Sequence, residues 1–409
     1  PPPKGPPLDA REARAARARS RSLKREREAA HASAAAHGAE RPPPRSPPWR
    51  PDDKDGHLQY ELGDSLTPRY KILAKLGEGT FGRVLECWDR TEKEYCAVKV
   101  IRNIQKYREA AMIEIDVLET TRRSDPDGKR HCVAMKTWFD WRGHVCMVFE
   151  KLGLSLYDFL RKNHYHPFPM DLVQAFGRQL LEAVSFLHEL TLIHTDLKPE
   201  NILLQTSRYE RQPLSPHSKH TKRVPVSSKI KLIDFGSATF EDQYHSTVVS
   251  TRHYRAPEVI LGLGWSYQCD LWSVGCILIE LLTGDALFQT HENMEHLAMM
   301  EAVLGKIPVG MMKRCDRHSQ KYFHKSLQEL NWPEGASTRE SVRAVRRMVK
   351  LKENVEGAAH GSLARELVSL LSGLLAYEPK ERMTARAALD HPFFKARLSP
   401  GGGGAPGEG

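Results

Sequence analysis

Three short stretches of this chain carry residue types that could bind and transfer a phosphoryl group. Residues 77–84 read Gly-Glu-Gly-Thr-Phe-Gly-Arg-Val, residues 194–201 read His-Thr-Asp-Leu-Lys-Pro-Glu-Asn, and residues 234–236 read Asp-Phe-Gly. Glycines let the backbone approach a phosphate and donate N–H groups to it, and carboxylate and amide oxygens suit Mg²⁺. Phosphoryl transfer requires positioning and charge compensation more than covalent help from the protein. The stretches therefore predict a phosphate site with a base and metal ligands.

The surrounding elements must hold these stretches together. Alternating apolar residues predict strands at 70–76, 83–88, 94–101 and 145–150. A helix is predicted at 109–121, with an apolar face of Ala110, Ile113, Val117 and Leu118. Apolar residues spaced three and four apart from 173 to 187 predict a long core helix, and helical patterns dominate to residue 394. This is an α+β pattern, with a small, mostly antiparallel N-terminal lobe and a larger, mainly helical C-terminal lobe.

In this order, and with Ala97-Val-Lys99 between the first two, the three stretches resemble the signature set of protein kinases. The resemblance covers about residues 57–396. It implies the bilobal protein-kinase fold, with an N-lobe at about 57–150 and a C-lobe at about 151–396. It also implies an ATP-dependent phosphotransferase that uses Mg²⁺.

For the nucleotide, the resemblance implies that Lys99 binds the α- and β-phosphates. Its positioning partner is expected to be Glu114, with Glu109 as the alternative. The expected nucleotide-binding set contains the glycine-rich turn, the adenine sandwich, the gatekeeper at 149 and the hinge: Leu76, Gly77, Glu78, Gly79, Thr80, Phe81, Gly82, Val84, Ala97, Lys99, Phe149, Glu150 and Leu152.

For the chemical step, the resemblance implies that Asp196 accepts the proton of the substrate hydroxyl. Lys198 would neutralise charge on the transferring phosphate, and Thr251 would hydrogen-bond both residues. Asn201 and Asp234 would hold two Mg²⁺ ions. Two framework contacts are also implied. Glu258 should pair with Arg382, and Asp270 should hold the backbone of the catalytic loop.

A second resemblance narrows the family. The string Glu-His-Leu-Ala-Met-Met-Glu at 295–301 is similar to the signature of LAMMER (CDC-like, CLK) kinases, as are the strings at 234–238 and 250–258. This implies a dual-specificity kinase, acting on Ser/Thr in substrates and on Tyr in autophosphorylation. The expected substrates are arginine/serine-rich (SR) splicing factors, and the expected location is the nucleus. The alternatives are another CMGC-group kinase (DYRK-like or SR-protein-kinase-like) with a different substrate motif, or a non-catalytic scaffold for splicing factors or RNA.

Two departures from the family pattern stand out. Position 195 is Thr where most protein kinases have an Arg that binds an activation-loop phosphate, so we expect activity without phosphorylation by another kinase. Ala302 replaces the Arg that closes the LAMMER signature. In addition, a polar, basic insertion at 205–229 predicts an extended surface hairpin or loop.

Composition indicates the character of the two terminal segments. The net charge is +10, but residues 1–50 alone hold 12 Lys/Arg and 5 Asp/Glu, together with 10 prolines. We therefore expect residues 1–56 to be a disordered basic tail. Either this tail is only solvated, or residues 24–27 and their neighbours serve for nuclear import or for contact with nucleic acid or a protein partner. Residues 397–409 are predicted to be a flexible glycine-rich tail.

The remaining expectations concern partners and compartment. The seven cysteines include no Cys-x-x-Cys pair, which argues against a zinc site or a disulfide framework, and no apolar run is long enough for a membrane helix. We expect a monomer whose kinase domain binds neither nucleic acid nor a membrane. Because the sequence begins at Pro1 rather than Met, we also expect the natural N-terminus to extend further.

Overall fold

The structure is a computed structural model, described here for residues 50–215 and 218–396. The predicted tails at 1–49 and 397–409 lie outside the described residues. Strands β1 to β11 are Tyr70–Gly79, Gly82–Asp89, Glu94–Ile101, Met135–Trp141, His144–Glu150, Leu192–Ile193, Ile202–Leu204, Tyr209–Pro213, Thr221–Pro225, Ile230–Leu232 and Thr239–Phe240. Helices α1 to α12 are Gln105–Ser124, Leu156–Lys162, Met170–Glu189, Pro257–Ile260, Gln268–Thr283, Asn293–Leu304, Val309–Arg314, Arg339–Arg346, Leu351–Ala358, Ser362–Leu374, Ala385–Leu389 and Pro392–Lys395.

The N-terminal lobe is built on one antiparallel sheet in the order β1-β2-β3-β5-β4. Along β3 the side chains alternate, so that Cys96, Val98 and Val100 are buried in the core of the lobe while Ala97 and Lys99 lie on the other face. The sequence predicted β1, β2, β3 and β5 but not β4, whose alternation is interrupted by polar residues and by a register shift at its start. The kinase-like α+β fold is confirmed.

Helix α1 packs on this sheet with a face that contains the predicted Val117 and Leu118 but not Ile113. Its buried side includes Glu114, Ile115 and Leu118, while Ile113 is 56% exposed. Consecutive helical residues point about 100° apart, so turning Glu114 towards the sheet turns Ile113 to solvent. The prediction that Ile113 belongs to the apolar face is therefore wrong, because a buried ion pair decides the rotation of the helix.

The segment that enters the N-terminal lobe is held by polar contacts. Asp52 Oδ1 lies 2.9 Å from Nε2 of the buried His144. Arg83 donates to Asp53 at 3.2 Å, and Asn103 N donates to Gly56 O at 2.8 Å. These contacts differ from the prediction that disorder extends to residue 56, because Asp52, Asp53 and Gly56 find partners far away in the sequence.

The C-terminal lobe is mainly helical and surrounds α3 and α5. Helix α3 buries Val173, Phe176, Leu180 and Leu187, as the apolar spacing predicted. Helix α5 is buried along nearly all of its length, and the fully buried indole of Trp272 lies in its second turn. Among the described residues, no helix is long and apolar enough to span a bilayer.

The insertion at 205–229 forms a hairpin of β8 and β9, which confirms one of the two predicted forms. Its base is bonded to the segment after β5. Gly153 N donates to Leu204 O at 2.7 Å, and Leu154 N donates to Ser207 Oγ at 3.0 Å. At the other strand, the amide side chain of Asn163, just after α2, bonds both N and O of Arg223. The hairpin is thus fixed at its base against the C-terminal lobe.

Helix α6 contains the string that identifies the LAMMER signature. Its His296 is fully buried, and neither ring nitrogen has a hydrogen-bond partner among the described residues. Ala302 packs against the apolar core, while Glu301 binds Lys306 at 3.0 Å and Ile307 N at 3.1 Å. The acidic end of the signature therefore has local partners in the absence of an Arg at 302.

Burial, together with the nearby cations Arg252 and Arg255, lowers the pKa of His296 from 6.5 to about 3. Above pH 6.5 His296 is neutral in both states. As the pH falls towards 3, the unfolded chain takes up a proton that the folded chain refuses, so stability is lost. We expect this residue to account for about 1.4 kcal/mol of the stability lost between pH 7.5 and 5.5.

Replacing His296 by Leu should remove that part of the pH dependence, while the exposed control His360→Leu should keep it. Urea denaturation at the two pH values measures the difference. An unchanged pH dependence in His296→Leu would show that the imidazole is not the titrating group.

Candidate active site

The glycine-rich stretch forms the tight turn between β1 and β2. Gly79 pairs with Gly82 across Thr80 and Phe81, and the Phe81 ring meets Tyr107 of α1 edge-on, with centroids 5.6 Å apart. The turn is therefore braced against the helix that carries Glu114.

The three glycines of the turn serve different purposes. A Cβ on Gly82 would lie 2.1 Å from Val100 O, so this position needs glycine for the approach of β2 to β3. A Cβ on Gly77 or Gly79 would meet nothing within 4 Å, which leaves their backbone open to a ligand. The carboxylate of Glu78 binds Lys75 and Arg83 at 3.1 and 3.0 Å and so stabilises the turn.

The residues expected around adenine line the inner face of the sheet. Val84 on β2 lies opposite Lys99, and Ala97 on β3 lies opposite Phe149 on β5. These four side chains are half-buried, as expected for the wall of an open cleft. Of the other expected residues, Leu76 sits at a register shift near the end of β1, Glu150 ends β5 and Leu152 packs on the core.

A three-member charge cluster joins both lobes behind the cleft. Lys99 Nζ lies 2.7 and 2.9 Å from the two carboxylate oxygens of Glu114 and 3.3 Å from Asp234 Oδ1. Burial lowers the pKa of Lys99, but the two carboxylates outweigh burial and the pKa is raised, so the ammonium is charged. The alternative partner, Glu109, instead accepts from Gln105 on the surface.

The catalytic-loop residues converge on one carboxylate. Asp196 accepts from Lys198 Nζ at 2.6 Å and from Thr251 Oγ1 at 2.7 Å, and Lys198 also donates to Thr251 Oγ1 at 3.0 Å. Burial alone would raise the pKa of Asp196, but these hydrogen bonds outweigh it and the pKa is lowered. Asp196 is therefore an ionised acceptor that can orient a hydroxyl group.

Asp270 holds the backbone of this loop. Its carboxylate accepts from His194 N and Thr195 N, each at 2.9 Å, and is itself buried. Thr195 has a φ of +68°, which is unfavourable for a β-branched residue. The paired backbone bonds to Asp270 offset that strain and fix the direction of Asp196.

Two side chains are placed to hold a divalent metal ion. Asn201 uses its amide nitrogen on Asp196 O at 2.9 Å, which leaves Oδ1 for a ligand. Asp234 meets Lys99 through Oδ1 and is 41% exposed. Among the described residues, no group of three or more His, Cys, Asp or Glu side chains could hold a metal. The donors fit an ion that also takes phosphate oxygens, as Mg²⁺ does.

The framework pair predicted from the sequence is present and buried. Arg382 donates to both oxygens of Glu258 at 2.7 and 2.9 Å, and its guanidinium lies 5.2 Å from the centre of the Trp272 ring. Removal of one partner from such a pair costs about 3–5 kcal/mol, because the other charge stays buried. The pair joins the segment after Thr251 to the last helices.

The activation segment, between Asp234 and Glu258, is held by hydrogen bonds from Thr195 and Arg255. Thr195 Oγ1 donates to Ser237 O at 2.9 Å. Arg255 donates to Val249 O at 2.9 Å and to Ser250 O at 2.8 Å, beside a cavity of about 410 Å³. Sequence reasoning missed Arg255, because its partners are backbone carbonyls that no side-chain motif reveals.

Comparison with known proteins agrees with this geometry. The model of the family "Protein kinase domain" matches residues 70–394. The serine/threonine-protein kinase AFC1 of Arabidopsis thaliana is 62% identical over 356 residues, 85% of this chain and 76% of that protein. The dual specificity protein kinase CLK2 of Homo sapiens is 49% identical over 348 residues, 85% of this chain and 68% of that protein. The crystal structure of the PF14_0431 kinase domain has a TM-score of 0.77 at 38% identity and covers 84% of this chain and 100% of that chain.

This chain belongs to the protein kinases of the LAMMER type. As a LAMMER kinase it is an enzyme that phosphorylates proteins, and its family uses ATP with a divalent metal ion. The scaffold alternative is thereby set aside.

Replacing Lys99 by Met should lower kcat of this LAMMER kinase by at least roughly 100-fold, because the change removes a preorganised charge at the phosphates. The exposed control Lys71→Met should keep normal activity. Steady-state kinetics with saturating ATP measure both variants. A loss below about tenfold would remove Lys99 from its assigned role.

Activity should survive treatment with a phosphatase, since Arg255 and Thr195 bind backbone carbonyls of the activation segment and hold it in place. Loss of nearly all wild-type activity after dephosphorylation would contradict this expectation.

Arg255→Met should lower kcat/KM by roughly tenfold or more, because it removes two charge-assisted hydrogen bonds. The exposed Arg317→Met is the matched control.

Proposed function

We propose that this LAMMER kinase uses ATP and Mg²⁺ to phosphorylate serines in arginine/serine-rich proteins, splicing factors among them, and tyrosine in autophosphorylation. The relative CLK2 is a dual specificity protein kinase, which supports the second part. Tyr244 is a candidate acceptor, because it lies in the activation segment and is 84% exposed.

The observation that carries the substrate proposal is an unpaired carboxylate oxygen near Asp196. Glu200 Oε2 is buried and has no hydrogen-bond partner among the described residues. Burial raises the pKa of Glu200, as do the negative charges of Asp196 and Asp158, and these effects outweigh a backbone hydrogen bond and the charge of Lys198, which lower it. A buried carboxylate oxygen without a donor is costly, and a guanidinium supplies both a hydrogen bond and charge. An arginine close to the acceptor serine would satisfy Glu200.

Asp196 and Asp158 add two negative charges around Glu200. Electrostatic potentials of one sign in a cleft concentrate ligands of the opposite sign. These three carboxyl groups therefore favour a cationic peptide, as an Arg/Ser segment is.

The residues of the site divide the transfer between them in this proposal. Asn201 and Asp234 would hold two Mg²⁺ ions, which would neutralise negative charge on the phosphates of ATP. Lys99 binds the α- and β-phosphates, and Lys198 balances charge on the group in transfer. Asp196 accepts the hydroxyl proton of the substrate and directs the oxygen in line.

A nuclear location is proposed with these substrates. The basic residues Lys24, Arg25 and Arg27, outside the described part of the chain, support it by their charge alone. Fluorescence microscopy of the tagged chain, with these three residues changed to Ala, tests it. A change that leaves the distribution unaltered would contradict the role of this cluster.

The test of substrate class compares an Arg-Ser repeat peptide with a Ser-Pro peptide that lacks arginine. We expect strong preference for the repeat. Glu200→Gln should lower kcat/KM for the repeat by roughly tenfold, since a charge-assisted bond is lost, with little change for the other peptide. The exposed Glu381→Gln is the control.

Preference for the Ser-Pro peptide would leave a kinase with a different substrate motif. An equal loss on both peptides would show that Glu200 supports the fold of the site rather than the binding of arginine.

A further inference from the structure

The β8–β9 hairpin has a charge opposite to that of the carboxyl groups around Glu200. Residues 208–229 hold six Lys/Arg and a single Glu. The side chains of Arg211, Lys219 and Lys222 form no ion pair with another described residue, and Arg211 and Lys219 are exposed. The carboxyl groups attract cations and the hairpin repels them, so the two surfaces suit different parts of a ligand.

Two arginines of the hairpin lie side by side. Arg211 on β8 is directly opposite Arg223 on β9. Arg223 N and O both bond Asn163, at 2.7 and 3.0 Å, so they point away from β8. The two arginines are therefore a non-hydrogen-bonded pair, in which side chains are closest, with Cβ atoms about 4.5–5.5 Å apart.

Arg211 is exposed and Arg223 is half-buried, while Val224, the neighbour of Arg223, is buried on the opposite face of the strand. The Arg223 guanidinium lies 4.8 Å from the centre of the Tyr209 ring, which fixes its position. Like charges directly opposite each other are destabilising, and an anion between two guanidinium groups reverses that effect.

The pair is also near the substrate cleft. Asn163, which binds Arg223, follows the last residue of α2, and Asp158, which acts on Glu200, lies in the first turn of the same helix. Five residues of helix span about 7.5 Å. A peptide whose arginine meets Glu200 can therefore reach the hairpin with a few more extended residues, at about 3.3 Å each.

We infer that Arg211 and Arg223 form a binding site for a phosphoserine of a substrate that has already been phosphorylated once. The inference rests on the proposed function and deepens it. Each phosphoserine adds a charge of about −1.5 to −2 to a segment that was purely cationic. The hairpin repels the unmodified segment and binds the modified one, so the first phosphate on an Arg/Ser segment favours the next transfer.

Binding to the full chain tests this independently of catalysis. Fluorescence anisotropy compares a labelled Arg-Ser peptide with the same peptide carrying one phosphoserine, placed about three to eight residues to either side of the acceptor serine. Wild type should bind the best phosphopeptide roughly threefold to tenfold more tightly than the unmodified one. Arg211→Gln should bring the ratio close to one, Arg211→Lys should keep part of it, and the exposed control Arg346→Gln should keep all of it.

The kinetic readout separates this inference from the proposed function. Arg211→Gln should lower kcat/KM on the phosphopeptide, and it should not lower kcat/KM on the unmodified Arg-Ser peptide, because it removes part of the repulsion of that peptide. If wild type phosphorylates neither peptide, the proposed function fails, and the binding ratio still decides the role of the hairpin.

Three results would overturn the inference. One is equal binding of both peptides by wild type, and another is a ratio that Arg211→Gln leaves intact. The third is tight binding of single-stranded RNA that Arg211→Gln abolishes, without preference for the phosphopeptide, which would make the hairpin an RNA-binding surface.

Discussion

A single buried ammonium group connects the parts of this structure on which its chemistry depends. The charge of Lys99 sits on the inner face of the sheet, where burial would be costly without partners of opposite sign. Glu114 comes from α1 and Asp234 from the start of the activation segment, so three separate elements must meet to satisfy one charge. The rotation of α1, which leaves Ile113 in solvent, follows from this requirement rather than from apolar packing. Burial of the pair thus specifies geometry at the expense of some hydrophobic contact.

Backbone strain around the site is also offset by polar contacts. Thr195, Asp234 and Ser250 all have positive φ angles, between +64° and +68°. Each is held by strong partners: Asp270 at the first, Lys99 at the second and Arg255 at the third. Strained conformations persist where surrounding bonds determine them, and they occur often at functional sites. The charged residues that surround the cleft therefore keep its loops in place as well as serving the substrate.

The sequence predicted the parts of this structure that depend on local patterns. The glycine-rich turn, the strand alternation before and after it and the apolar spacing of α3 can be recognised in short windows. Contacts between distant residues could be predicted only where a family motif specified them, as for Lys99 with Glu114 and Glu258 with Arg382.

Other long-range contacts left no signal in the sequence. Arg255 bonds carbonyls and Asp52 meets a histidine 92 residues away, neither of which has a side-chain pattern. The lack of a hydrogen-bond partner for Glu200 Oε2 can be recognised only from the structure around it.

The attachment of the hairpin base has a consequence for the motion of the two lobes. Gly153, where a flexible pivot would be natural, is hydrogen-bonded to Leu204, and a Cβ there would lie 2.7 Å from Ser207 N. From Gly153 onward, the linker after β5 is therefore bonded to the C-terminal lobe and moves with it. Rotation that opens and closes the cleft must be concentrated in the three residues Glu150–Leu152, directly beside the expected adenine position. Nucleotide exchange and lobe motion therefore share the same few backbone torsions.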